Sequence, residues 1–351
     1  MICNVVKFSF EEIENNTSKF DINLDRIMID IVIASDDNYL HLVSVCIVSL
    51  FETNRNEPFH IHLLSNGIET RKLKPLESIV DEYGGQLSVY HIENLRDMLA
   101  VEVPHTISIT SYARLFAGSI LPAEVDKVLY IDCDIMFNSS ITGLRGIDLG
   151  DCLVGGILDP LISRTYKKEI RIPKDEPYIN AGVLLIPLNR WRSEGMEQKF
   201  INYLIERKGK VHHHDQGIIN AVCASRKKIL PPQFNVMSNS ICYPWGDLRK
   251  INTPFYSRDE YEAAIVAPAI IHFTGAILGR PWVEECTHPY AKNFMQYKAM
   301  TTYKNIPLKP NNQSILHRLE GALYRRLPFW LFKLYMQSIY HLSYLKHSFR
   351  I

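Results

Sequence analysis

Two carboxylates one residue apart, Asp132 and Asp134, follow the apolar run Val128-Leu129-Tyr130-Ile131. A run this short, partly β-branched and preceded by Asp126-Lys127, predicts a buried strand. Side chains alternate along extended backbone, so both acids leave the strand on one side. Paired acids with an open approach suit a hard divalent cation, above all one shared with phosphate oxygens. Taken alone, they could equally be solvated strand-end acids or caps of the next turn. Other groups with chemical potential lie along the chain. Asp36-Asp37-Asn38 follows an apolar run; one of them could cap the next helix, leaving the others to hydrogen-bond a base or ribose. Arg114 is the one cation in the apolar, hydroxyl-rich stretch 107–116. It either pairs with a sheet carboxylate or donates to phosphate or sugar. Asp159 closes the run Gly155-Gly156-Ile157-Leu158, and Asn180 stands at the start of the most apolar run of the chain, 178–187. Asn180-Ala181-Gly182 there suggests close backbone approach. In His212-His213-His214-Asp215-Gln216, three adjacent imidazoles do not converge readily on one ion. Asp215 and Gln216, a charge and an amide at a helix start, are the better candidates, with N-capping as their plainer role. His272 ends a late apolar run and is followed by Gly275. A lone histidine is more often a core residue, but beside a two-carboxylate site it becomes a candidate third ligand.

These groups need a scaffold that gathers them. Strands are predicted at 28–34, 59–64 and 86–92, with helices between them over 42–51 and about 69–83, the latter stopping at Gly84-Gly85. That alternation predicts a parallel sheet covered on both faces. Ligands of such sheets sit beyond the carboxyl ends of the strands, which places residues 35–38 and the acid pair at one edge. No Gly-x-Gly-x-x-Gly follows the first strand and no Walker loop is present, so the usual dinucleotide and P-loop readings have no support. Residues 107–121 and 188–208 are predicted to be helical, and residues 1–26 are a polar N-terminal extension.

The chain has 351 residues, 46% hydrophobic and 22% charged, the composition of a globular protein with a sizeable core. A net charge of +1 gives no bulk attraction to nucleic acid. The charge is unevenly spread: from Tyr303 onward eight Lys and Arg face the single acid Glu320. Seven scattered cysteines with no Cys-x-x-Cys pair fit a reducing compartment. No signal pattern opens the chain and no apolar run reaches about 20 residues, so the expectation is a cytoplasmic protein.

The blocks together resemble glycosyltransferase family 8, in particular its bacterial lipopolysaccharide galactosyl- and glucosyltransferases. The matching segments are Asp30-Ile31-Val32-Ile33-Ala34-Ser35-Asp36-Asp37-Asn38-Tyr39, the stretch from Ile107 to Leu115, Lys127 to Asp134, Asn180-Ala181-Gly182-Val183-Leu184-Leu185, Asp215-Gln216, and His272-Phe273-x-Gly275 with Pro281-Trp282. The resemblance implies a GT-A fold, a Rossmann-like mixed α/β sheet flanked by helices. It also implies retaining transfer of glucose or galactose from a UDP-sugar, with Mn²⁺ or Mg²⁺, to a saccharide acceptor of a lipopolysaccharide, capsule or other cell-surface glycan. By matching position, Asp132, Asp134 and His272 bind the metal, and Asp132 also touches the donor. Ala34, Asp36 and Asn38 hold uracil and ribose. Arg114, Asp159, Asn180, Asp215 and Gln216 surround the donor sugar, with Asp215 and Gln216 nearest the reaction, and His105 falls at an acceptor contact. Gly275 and Arg280 close the donor set. The family pattern His-x-x-Gly-x-x-Lys-Pro-Trp departs here by two inserted residues and by Arg280 in place of the Lys. The organisation this implies is an extension over 1–26, a catalytic domain over 27–300 and a C-terminal region over 301–351.

That last region mixes its cations with aromatics and breaks at Pro328. It reads either as a helical subdomain packed on the core or as an amphipathic anchor at the inner face of the plasma membrane, where basic residues meet anionic lipid and aromatics sit among the headgroups. The anchor accounts for the aromatics and agrees with a glycolipid acceptor. Two competing functions are weaker. A haloacid-dehalogenase-type phosphatase wants Thr or Val two residues after the second Asp, where Met136 stands. A nucleotide-sugar-binding protein without catalysis would not need so complete a set of site residues.

Overall fold

The computed structural model describes residues 28–92, 94–103, 108–275 and 277–335. The N-terminal extension, His105 and residues 336–351 lie outside this description. A seven-stranded sheet runs in the order β3-β2-β1-β4-β7-β6-β8. Its strands are β1 (Ile29–Ser35), β2 (Phe59–Ser65), β3 (Gln86–His91), β4 (Lys127–Ile131), β6 (Val154–Leu158), β7 (Ile179–Pro187) and β8 (Lys227–Ile229). The first four are parallel, as the alternation of strands and helices predicts. β7 is antiparallel to both β4 and β6, so the sheet is mixed rather than parallel. Hydrophobic pattern alone does not reveal this reversal, because β7 is buried along its whole length and shows no alternation.

Residues along β1 divide between the two faces. Val32 and Ala34 pack under Tyr112, Phe116 and Tyr130, while Ile31 and Ile33 pack beneath α1 (Leu40–Thr53) and α2 (Thr70–Glu82). Each such side chain fully removed from water contributes roughly 1.5–3 kcal/mol, so both layers hold β1 and β4 rigidly at the centre. A second sheet, in the order β5-β10-β9, consists of β5 (Ile135–Phe137), β9 (Val236–Met237) and β10 (Ile270–His272). β10 lies antiparallel to β5 with His272 opposite Ile135.

Two helix expectations change. Residues 109–116 form a 3₁₀ helix, which eclipses positions three apart and lets the Arg114 Nε donate to the Ser111 carbonyl at 2.9 Å. The stretch 188–208 is two helices, Leu188–Ser193 and α3 (Met196–Glu206), divided at Gly195, whose φ of +60° suits glycine.

At the C-terminal end, α4 (Ile315–Arg326) stops before Pro328, and helix resumes over residues 329–335. Phe332 is fully buried against Cys242, Ile277 and Leu278, with Tyr324, Phe329 and Tyr335 around it. These aromatics therefore have a packing role in a small satellite core. Ile315 and Trp330, 87% and 62% exposed, do not share it. No described helix is long and apolar enough to cross a membrane.

Candidate active site

The carboxyl edge of the large sheet opens into a cleft of about 1760 Å³. Asp132 leaves β4 with its N–H donating to the Gly182 carbonyl at 2.9 Å, so β7 fixes where the acid pair begins. Asp134 immediately precedes β5, and the pairing of β5 with β10 returns a residue far along the chain to it. His272 Nε2 lies 3.1 Å from Asp134 Oδ1 and 3.8 Å from Asp132 Oδ2. Ligand atoms of the three residues all fall within 4.8 Å of one another.

The imidazole is held from behind. Asn235 Nδ2 donates to Asn180 Oδ1 at 2.9 Å, which turns Asn235 Oδ1 toward His272 Nδ1, 3.0 Å away. Nδ1 therefore carries a hydrogen, and Nε2 faces the two acids, where it could serve a metal once deprotonated. Burial alone lowers the His272 pKa, but Asp134, with Asp132 behind it, raises it above the ordinary value. Burial pushes Asp134 up, and the His272 and Arg280 charges more than offset this and hold its carboxyl low. Gly182 makes room for the ring: a Cβ there would sit 2.2 Å from His272 Cε1.

Arg114 is buried between two carboxylates, with Nη2 2.7 Å from Asp132 and Nε 3.0 Å from Asp215. Nη1 donates to the Ala181 carbonyl, and the guanidinium lies 4.2 Å from the centre of the Tyr130 ring. Of its two sequence readings, the structure has the pairing one, extended to a second acid. Burial opposes the Arg114 charge, yet the two carboxylates hold it firmly protonated. Burial raises the Asp215 pKa, and Arg114 pulls it back in part. Asp215 and Gln216 begin a helix, His214–Val222, that has no side-chain cap, so both are released toward the cleft.

Beyond Asp215 lies a network of neutral amides. Gln216 Oε1 accepts from the Ala181 N–H and from Asn180 Nδ2, each at 3.0 Å, while its Nε2 donates to Asp159 Oδ2 at 3.1 Å. Asn180 Nδ2 also reaches Asp159 Oδ2 at 3.3 Å. At the opposite end, Asp36 accepts from the Asn38 N–H at 2.9 Å and from the Ser108 hydroxyl at 3.0 Å, forming a turn rather than a helix cap. His213 and His214 bond to the hydroxyls of Tyr178 and Tyr112, so the histidine run forms an aromatic wall. Phe329 and Lys333 of the C-terminal segment complete the lining, and Lys333 pairs with Asp247.

Of the residues singled out from sequence, Ala34, Asp36, Arg114, Asp132, Asp134, Asp159, Asp215 and Gln216 line the cleft. Asn180 and His272 stand directly behind this lining through the bonds just given. Asn38 is exposed at the rim, and Gly275 is buried, where a Cβ would meet Ser238 at 2.7 Å. Arg280 is exposed with its charge felt at Asp134 and at the Tyr39 hydroxyl. Sequence reasoning missed Asn235 and Tyr130. Nothing around Asn235 marks it, whereas Tyr130, a hydroxyl inside the apolar run before the acid pair, was a usable signal: it donates to Asp132 at 3.3 Å.

A mixed Rossmann-like sheet with an acid pair after its fourth strand, and a histidine returned to that pair by a second small sheet, defines a glycosyltransferase of the GT-A fold. The chain belongs to glycosyltransferase family 8: the family described as "Glycosyl transferase family 8" matches residues 30–286. It is 26% identical over 295 residues to general stress protein A of Bacillus subtilis, covering 82% of this chain and 99% of that one. It is 23% identical to a lipopolysaccharide 1,2-glucosyltransferase of Escherichia coli, covering 78% and 79% of the two chains. It is 22% identical to the lipopolysaccharide 1,3-galactosyltransferase of Salmonella typhimurium, covering 90% and 91%. Among solved structures, the galactosyltransferase LgtC in complex with donor and acceptor sugar analogs superposes with a TM-score of 0.66 at 28% identity, covering 78% of this chain and 96% of that one.

Proposed function

We propose that this glycosyltransferase moves a hexose, glucose or galactose, from a UDP-sugar to a saccharide of a cell-surface glycan with retention of configuration, in the presence of Mn²⁺ or Mg²⁺. The observation that carries the reading is the convergence of Asp132, Asp134 and His272, with the two acids lining the cleft and the imidazole just behind them. Two carboxylates and one imidazole with its tautomer set suit such an ion, which would neutralise the diphosphate as the sugar departs. Arg114, paired with both Asp132 and Asp215, holds the two carboxylates in place. Arg280, exposed beside Asp134, is available to the diphosphate despite the insertion before it. Ala34, Asp36 and Asn38 stand where a uridine would lie, along the continuation of β1, and Gly275 gives β10 a close turn behind the donor site.

Asp159, Asn180, Asp215 and Gln216 hold the hexose. Asp215 is held by Arg114 through Oδ2, and Gln216 Oε1 already accepts two hydrogen bonds, which makes both poor nucleophiles toward carbon. This supports departure and attack on the same face, with an oxocarbenium-like transition state stabilised by these groups.

For the acceptor, support comes from the relatives that act on lipopolysaccharide and from the C-terminal segment. There Ile315, Leu316, Leu319, Trp330 and Leu334 are exposed alongside Arg318, Arg325 and Arg326, an arrangement suited to the inner leaflet. The protein then works as a peripheral enzyme on a glycolipid. The test is UDP release from a panel of UDP-sugars with Mn²⁺ and with EDTA. One UDP-hexose should be hydrolysed or transferred only with metal, and Asp134→Ala should reduce the rate by at least about a thousandfold. Metal-independent release, or none from any UDP-sugar with a glycolipid present, overturns the reading.

A further inference from the structure

At the opposite ends of β1 and β2 from the cleft, a second group of metal-ligating side chains meets. Asp30 and His60 are register partners across the β1–β2 pair, and His62 follows on the same face of β2. His62 Nε2 lies 2.8 Å from Asp30 Oδ1, and His60 Nδ1 lies 3.6 Å from the same oxygen. The two rings are 3.9 Å apart between centroids. Their far nitrogens are each bonded to a hydroxyl of β3: His60 Nε2 to Ser88 Oγ at 2.8 Å and His62 Nδ1 to Tyr90 at 3.0 Å.

We infer that Asp30, His60 and His62 form a second divalent-metal site, built for a borderline ion of the Zn²⁺ type and independent of the transferase reaction. Four-coordinate zinc with bonds of about 2.0–2.1 Å places its ligand atoms about 3.3 Å apart. The two separations at Asp30 Oδ1, 2.8 and 3.6 Å, bracket that value, and all three ligand atoms lie within 4.8 Å of one another, close enough for one ion to draw them together. Each imidazole is oriented by a hydroxyl at its other nitrogen, Ser88 for His60 and Tyr90 for His62, and each hydroxyl can accept the ring hydrogen when the facing nitrogen ligates, the outer-shell support typical of ligating histidines. His62 is fully buried, whereas the Asp30 and His60 side chains retain 23% and 21% exposure, which leaves a solvent path and room for water as a fourth ligand. Two nitrogens and one oxygen favour Zn²⁺ over Mg²⁺ or Ca²⁺, in contrast to the oxygen-rich set in the cleft. Ala34, at the cleft, lies four positions beyond Asp30 on β1, about 13 Å along the strand, so neither ion would share a ligand with the other.

The experiment measures Zn²⁺ bound by the untagged full-length chain in equilibrium dialysis against excess Mg²⁺. All variants carry Asp134→Ala, so that the cleft does not contribute. The expected result is one equivalent of Zn²⁺ more in this background than when His60→Gln is added, together with a thermal midpoint raised by Zn²⁺ only where His60 is present. Ser88→Ala, which leaves all three ligands in place, should weaken Zn²⁺ binding by about tenfold. Equal zinc content with and without His60→Gln overturns the proposal. If that variant does not fold, as judged by circular dichroism, the Ser88→Ala arm decides, and an unchanged zinc affinity there overturns the proposal.

Discussion

At one corner of the cleft, Asp132, Asp134 and His272 stand close together with an excess of negative charge and only partial internal pairing. At the other, Asp159, Asn180 and Gln216 are joined through a chain of hydrogen bonds, two neutral amides around a single carboxylate. Both corners are set by β7, whose carbonyl at Gly182 places Asp132 and whose Asn180 joins the amide network. The contrast shows two ways of preparing a site. On the proposed function, the acid–histidine corner stores repulsion that a cation would relieve, while the amide corner holds an orientation that a bound sugar would not have to impose. Asn235 joins the two, since it accepts from His272 and donates to Asn180.

The contrast can be sharpened by removing the amide corner alone. Gln216→Ala should lower turnover by about a hundredfold while leaving Mn²⁺ affinity within about twofold, measured by steady-state kinetics and metal titration. The same loss appearing in metal affinity would merge the corners. Asn235→Ala breaks the joint: Mn²⁺ affinity should fall by about 10–100-fold, because the His272 tautomer is no longer imposed. Acidity separates the corners next. His272 must lose its proton to act as a ligand, and its folded pKa is raised. Apparent Mn²⁺ affinity should therefore rise with pH by up to about tenfold per unit and level off only above the ordinary histidine value of about 6.5. Gln216→Ala should leave that slope intact. The smallest effect belongs to Arg280→Lys. An exposed cation near Asp134 acts chiefly through its charge, so KM for the donor should change by less than about threefold, against about tenfold for Arg280→Ala.

Much of this arrangement is legible in the amino-acid sequence. Local pattern placed β1, β2, β3 and β4, because each is a short apolar run between turn residues, and it placed Asp132 and Asp134 at the exit of β4. His272 was legible only as a candidate, because its role depends on β10 pairing with β5, a contact between segments far apart in sequence. The reversal of β7 was not legible, since a strand buried on both faces gives no sign of its direction. Asn235 was hidden for a similar reason: a neutral amide before a two-residue strand carries no periodicity and no charge. In the C-terminal segment, composition suggested aromatics facing lipid. Packing divides them instead, with Phe332 and Tyr324 inside a small core and Trp330 outside it.

The separation of the ligands along the chain also has a consequence for biosynthesis. Asp134 and His272 are 138 residues apart, and Phe329 and Lys333 of the cleft wall come later still. A ribosome adding about 5–20 residues per second completes β1 to β4 well before β10 leaves the exit tunnel. For that interval a nascent chain has its central parallel strands and its acid pair but no histidine opposite them, and no far wall to the cleft. The sheet can begin to consolidate at once, whereas the complete cleft, and with it the proposed capacity to hold an ion and a nucleotide sugar together, arises only near the end of translation.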